Sequence, residues 1–172
     1  MTPFSRRRFI LAAAAGATLG GCGFRLRGAI DMPFSTAYVD GSEHDTVLKR
    51  LRRALQANGV TVTDTAQAAQ VNIRTLQLTK ERDILSLNAD GKAREYRLFY
   101  TLKYAVDRGD GTTLRLPQTL TIRREVTFSD SQVLAKEQEE NLLYRDMADD
   151  MVRQLMRRLA TLRLDAPAGS GQ

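Results

Sequence analysis

The chain has 172 residues, 42% hydrophobic and 27% charged, with 26 Lys or Arg against 20 Asp or Glu, one His and one Cys. That length holds a single domain. The lone Cys excludes an intrachain disulfide and a cysteine-ligated metal site, so the fold must rest on its core alone.

Arg6, Arg7 and Arg8 precede an uncharged stretch, Phe9 to Gly21, which ends in Leu19-Gly20-Gly21 directly before Cys22. A basic n-region, an apolar core and small residues before a cysteine read as a processed secretory signal. The small residues at the junction make it a lipobox, in which Cys22 takes a diacylglyceryl group and becomes the first residue of the mature chain. A membrane-spanning helix needs about 20 apolar residues; this stretch has 13, and Ala12 to Ala17 are all Ala or Gly. Acyl chains anchor through their buried CH2 groups, each worth about 0.8 kcal/mol. Gly23 follows the cysteine where Asp would retain a lipoprotein in the inner membrane, so the expected address is the outer membrane, periplasmic face. The run Ser5-Arg6-Arg7-Arg8-Phe9-Ile10 resembles a twin-arginine export motif and equally supplies the basic start of an ordinary signal, so the export route stays open.

The expected organisation is residues 1–21 as signal peptide, 22–35 as lipidated tether, 36–165 as the folded domain and 166–172 as a disordered tail. Removing the signal leaves 23 basic against 20 acidic side chains, a net charge of +3. Much of the basic excess therefore belongs to the leader, which removes the support for a nucleic-acid partner while still suiting an anionic one.

Within the domain, Thr36–Asp40 is a short strand candidate. Val47, Leu48, Leu51, Ala54 and Leu55 recur at helical spacing, with Ser42 and Asp45 as a capping pattern before them and Asn58-Gly59 as the stop. Lys49, Arg50, Arg52 and Arg53 occupy the other arc and read as a solvated face. Asp64–Gln70 is a small-residue connector. From Val71 the pattern turns strand-like, but its apolar parity slips between Ile73 and Leu76, which predicts a bulge near Arg74–Leu76. Tyr96, Leu98, Tyr100, Leu102, Tyr104 and Val106 alternate without a break. Turns are expected at Asn88–Gly91 and Asp107–Gly111. Leu114 to Phe128 forms a third strand, which Pro117 assigns to an edge or a bulge. A long helix follows, with Ser129 and Gln132 as a capping pattern and Leu143, Met147, Met151, Leu155, Leu159 and Leu162 as its apolar stripe. Its first part, Lys136–Asn141, is almost wholly polar and should project or lie at a rim.

The order β-α-β-β-β-α predicts an α+β fold in two layers, with two helices on one face of a four-stranded, mostly antiparallel sheet. Roughly half of the opposite sheet face is left polar or available to a partner.

Catalytic chemistry is not supported. His44 has no second imidazole beside it and reads as a surface residue. Gly109-Asp110-Gly111 is a hairpin turn, not a phosphate cradle. Asp149 and Asp150 point to different arcs of a helix, and no Ser/His/Asp set is present. No enzyme activity, metal or cofactor is expected. The tyrosines Tyr96, Tyr100 and Tyr104 share a parity with Leu98 and Leu102, which makes them core, not an RNA-stacking sheet.

With these elements in place, the chain resembles the LPS-assembly lipoprotein LptE (RlpB) family over nearly all of the mature domain. The resemblance is carried by Cys22-Gly23-Phe24-Arg25-Leu26-Arg27-Gly28, by Leu55-Gln56-Ala57-Asn58-Gly59-Val60, by Glu95-Tyr96 and by Leu134-Ala135-Lys136, in that order and spacing. It implies two helices on a four-stranded sheet. It also implies an outer-membrane lipoprotein that plugs and helps assemble an LptD-type β-barrel as a 1:1 partner, assists lipopolysaccharide delivery to the outer leaflet, and binds lipopolysaccharide. Lys136 matches one of the family's basic contact positions. The other departs: Ala89 stands before Asp90-Gly91 where the family can place Arg, with Lys92 and Arg94 nearby as substitutes. The alternative is an envelope lipoprotein that binds another protein or peptidoglycan and has no part in glycolipid transport.

Overall fold

The computed structural model describes residues 30–127 and 133–164. Cys22, Gly23, the signal segment, the tail and the Ser129/Gln132 capping pattern lie outside the described residues. The elements in chain order are β1 (Thr36–Val39), α1 (Thr46–Ala57), β2 (Thr61–Val62), a 3-10 turn (Ala66–Ala68), β3 (Val71–Leu87), β4 (Ala93–Arg108), β5 (Thr113–Thr127) and α2 (Val133–Ala160).

One sheet has the strand order β2-β1-β3-β4-β5. It holds five strands where the sequence reading expected four. The addition is β2, parallel to β1 through Thr36–Thr61 and Ala37–Val62. Its two residues carry no periodicity; the pairing comes from the Thr61 amide donating to the Ser35 carbonyl and the Thr63 amide to the Ala37 carbonyl. β1 is also parallel to β3, whereas β3, β4 and β5 form an antiparallel meander.

Helix α1 starts where a side chain satisfies its first amides. The Asp45 carboxylate accepts from the Val47 amide at 2.7 Å and from that of Leu48, as an N-cap does. The helix ends at Asn58 with Gly59 in the left-handed region, φ +81°, which Gly reaches without a Cβ penalty.

The bulge expected near Arg74–Leu76 is present: the β3–β4 register shifts between Thr75 and Gln77, leaving Leu76 as the extra residue. Before it Val71 and Ile73 face the helices, and after it the even residues do. Pro117 lies both on an edge strand and inside an irregularity, since Tyr104 pairs with Gln118 but Val106 pairs with Arg115. Proline has no N–H to give to a ladder, so these are the places that accept it.

Both helices cover one sheet face. Val47, Leu51 and Leu55 of α1 and Met147, Met151, Leu155 and Leu159 of α2 pack with Leu98, Leu102, Tyr104, Val106, Leu120 and Ile122 in one buried cluster. The predicted stripe on α2 is this core. Residues 30–35, the end of the expected tether, are irregular yet tied to the body. Phe34 is buried, Ile30 and Met32 pack against the core, and the Ser35 amide donates to the Gln70 side chain at 2.8 Å.

Two readings change. Asp107, placed in a turn by the sequence, belongs to β4, is buried, and accepts from Arg74 Nε at 2.5 Å. Of the basic arc on α1, Lys49 and Arg53 are exposed as expected. Arg50 instead reaches α2, donating to the Arg145 carbonyl and pairing with Asp149, and Arg52 donates to the carbonyls of Val39 and Gly41. Long cations on a helix find carbonyls and acids that only the tertiary approach supplies.

Candidate functional site

The predicted glycolipid contacts lie at one end of the molecule. The β3–β4 hairpin closes there over Asn88–Lys92. The Asn88 side-chain oxygen accepts from the amides of Asp90 and Lys92, and Gly91 takes a positive φ of +77°. Such an Asx turn fixes the backbone without further packing. Lys92 and Arg94 are exposed at this tip.

Lys136 arrives from the other direction, in the first turns of α2. Its ammonium donates to Glu139 Oε2 at 2.7 Å and to Thr127 Oγ1 at 3.4 Å, and its side chain is only 18% exposed. Thr127 is the register partner of Glu95, the neighbour of Arg94. The sheet therefore brings Lys136 and the hairpin cations to the same end. That end is mixed in charge. Glu95 accepts from Ser86 Oγ at 2.6 Å, and Arg82 pairs with Glu140 at 3.0 Å while its guanidinium lies 4.6 Å from the Tyr96 ring centre. Lys136 is thus an ion-paired lysine.

A second basic feature escaped the sequence reading. Thr46, Lys80, Tyr100, Asn141, Tyr144 and Arg145 line a cleft of about 370 Å3 between the start of α1, the middle of β3 and α2. The Lys80 ammonium sits 5.2 Å from the Tyr100 ring centre and 5.0 Å from that of Tyr144. The two rings meet edge to face, 5.9 Å apart at 89°, and each attracts the cation with its negative face. Tyr100 is 2% exposed. Burial, with help from the Asp45 charge, pushes the Tyr100 phenol up to about 12. Burial, with Glu140 next, also raises that of Tyr144. The cue in the sequence was the even parity after the bulge, which puts Lys80 on the helix-facing side of the sheet, where it stays exposed beside the two rings.

Elsewhere the acids are structural. Asp149 pairs with Arg50, and Asp150 with Arg124 and Arg153. His44 is exposed. Among the described residues no three His, Cys, Asp or Glu are grouped to hold a metal.

The body is thus a two-layer α+β domain with the candidate basic residues gathered at one end of its sheet. The sequence matches the LptE family, lipopolysaccharide-assembly, over residues 34–159. The chain belongs to that family. It is 31% identical over 148 residues to the LPS-assembly lipoprotein LptE of Pectobacterium atrosepticum, covering 83% of this chain and 78% of that protein. It is 26% identical to that of Photorhabdus laumondii, over 89% and 85%. Among solved structures, lipoprotein B of Nitrosomonas europaea superposes with a TM-score of 0.69 at 31% identity, covering 80% of this chain and 90% of that one. Rare lipoprotein B of Shewanella oneidensis gives 0.65 at 27%, over 73% and 94%. The family is described by lipopolysaccharide assembly, not by a catalytic activity.

Proposed function

We propose that this domain fills the lumen of an LptD-type outer-membrane β-barrel as its 1:1 partner, assists assembly of that barrel, and takes part in delivering lipopolysaccharide to the outer leaflet. The observation that carries the reading is the family match across 34–159, which spans both helices and the whole meander.

The far face of the sheet supports it. Arg97 pairs with Glu125 at 2.9 Å, and the Thr101 and Thr121 hydroxyls meet at 3.1 Å. A face carrying such polar pairs suits a barrel interior, which is itself polar. Acylation at Cys22 and outward sorting by Gly23 hold the domain at the membrane's periplasmic face. Lys136, Lys92 and Arg94 contact lipopolysaccharide phosphate, each as a point charge or fork on an anionic oxygen.

Photo-crosslinking from Phe99 or Thr101 positions in intact envelopes tests the reading. A crosslink to a large outer-membrane barrel supports it. Crosslinks confined to soluble periplasmic proteins or peptidoglycan overturn it in favour of a general envelope-binding module. In the same cells, Cys22→Ala is expected to release the domain as soluble, folded protein, and Gly23→Asp to move part of it to the inner-membrane fraction.

A further inference from the structure

We propose that Asn58-Gly59 is a deamidation site, held closed by the amide of Ile30 on the segment that follows Cys22. The proposal is independent of any barrel or glycolipid partner.

The chain has four asparagines, and only Asn58 precedes a glycine. With no Cβ on the next residue, the Gly59 amide nitrogen can come close to the side-chain carbonyl carbon of Asn58. Its attack forms an N–Cγ bond and breaks the Cγ–Nδ2 bond, and the amide proton departs with the leaving group as ammonia. Water then opens the five-membered succinimide at either carbonyl, giving aspartate or isoaspartate. Nothing is oxidised or reduced. Asn72, Asn88 and Asn141 are followed by Ile73, Ala89 and Leu142, whose side chains hinder the same approach.

Burial does not protect the site. Gly59 is exposed, and with Asn58 it lines an open cleft of about 460 Å3 beside Phe34, Ser35 and Gln70, so water enters and ammonia leaves. The protection lies in bonds. Asn58 Nδ2 donates to the Ala54 carbonyl at 2.7 Å, Asn58 Oδ1 accepts from the Ile30 amide at 2.7 Å, and the Gly59 amide donates to the Gln56 carbonyl at 3.0 Å. Leaving group, carbonyl and nucleophile are all held, and the reaction waits on local opening. Ile30 is the one partner of the three that lies outside α1, so it can depart while the helix stays wound.

The product does not restore the lock. Aspartate at this position has no N–H for the Ala54 carbonyl, and it sets a negative charge at the C-terminal end of α1, where the helix dipole opposes it. Isoaspartate adds a methylene to the main chain just before Gly59. That displaces the Gly59 amide from the Gln56 carbonyl and, three residues on, the Thr61 amide from the Ser35 carbonyl that pairs β2 with β1. A chain whose leading segment has come away from α1 is thereby marked at the place where that segment seats.

Peptide mapping by mass, on the full chain aged in detergent and mildly alkaline buffer, reads the reaction. Deamidation changes the peptide mass, whereas isomerisation at Asp40-Gly41, Asp90-Gly91 or Asp110-Gly111 does not. Asn58 is expected to deamidate at least about tenfold faster in urea than in the folded chain. Ile30→Pro has no amide hydrogen to donate. It should raise the folded rate about fivefold, as loss of one hydrogen bond entails, with Asn72 in the same digest unchanged. Asn58→Asp, standing for the product, should speed exchange of the residue 58 and Val60 amides.

Equal Asn58 rates in the folded and urea-unfolded parent overturn the closed site. A rate in Ile30→Pro within twofold of the parent overturns the role of Ile30. Should that variant unfold, seen as Asn72 rising with Asn58, the parent decides. Below its urea transition, deamidation at Asn58 should rise in step with exchange of the Ile30 amide, and exchange without deamidation overturns the proposal. Unchanged exchange in Asn58→Asp overturns the consequence for α1.

Discussion

The Tyr144 hydroxyl donates to the Glu81 carbonyl at 3.0 Å, fastening α2 to a part of β3 that β1 does not reach. β1 pairs with β3 only through Val71, Asn72 and Ile73. Tyr144→Phe keeps the ring against Tyr100 and removes only this bond. The expected loss is about 1 kcal/mol, read by urea denaturation, with faster amide exchange around Glu81. Unchanged exchange there would show that the helix is held by ring packing alone.

Lys136 and its partner Glu139 can be separated by mutation. Glu139→Gln removes the competing carboxylate, so lipopolysaccharide is expected to bind more tightly. Lys136→Glu is expected to weaken binding, with the larger effect at low salt. Neither should move stability by more than about 0.5 kcal/mol, because an i,i+3 pair at a helix surface is worth little. If both variants bind as the parent does, Lys136 has no part in recognition.

Gly109 offers a steric test of the β4–β5 turn. A Cβ at this position would run into the Ala69 carbonyl oxygen and crowd that of Ala66. Backbone cannot step aside as a flexible side chain can, so Gly109→Ala is expected to destabilise by roughly 2 kcal/mol. Gly111→Ala meets open space and suffers only from its φ of +88°, at about 1 kcal/mol. Thermal melts of the two variants should fall in that order.

Tyr100 sets an alkaline dependence. Its phenol is raised from 10.0 to about 12 in the folded chain. Between those values the unfolded chain loses the proton and the folded chain keeps it, so stability falls as pH rises. The contribution is whole below pH 10 and is lost through pH 12. Tyr100→Phe should flatten this part of the stability curve. An identical slope in parent and variant would assign the alkaline loss to other groups.

How far the sequence reaches depends on the range of the interaction. The parity slip after Ile73 located the bulge at Leu76, because alternation is a local consequence of the pleat. Pro117 gave the edge through its missing N–H, and Asn58-Gly59 gave the end of α1. The five-strand count was not legible, since Thr61–Val62 is recruited by carbonyls of Ser35 and Ala37 that lie far away in the chain. Nor were the roles of Arg50 and Arg52, whose partners belong to α2 and β1. Lys136 was found by resemblance, whereas the pair with Glu139 follows from helical spacing. The cleft was missed because Tyr100 reads as core and Lys80 as surface, and only the fold places one against the other.

The position of Pro117 has a consequence for how copies of the domain treat one another. β5 is the last strand of the sheet among the described residues, so no described strand pairs with its outer backbone. A newcomer laying itself along β5 meets a residue with no amide to offer, at a point where the strand is already irregular, and beyond it Arg123, Arg124 and Glu125 stand exposed. Two identical borders of this kind do not zip, since each would bring arginines against arginines. Freshly made domains can therefore accumulate side by side without stitching themselves into ribbons, and the open sheet remains a property of the single molecule.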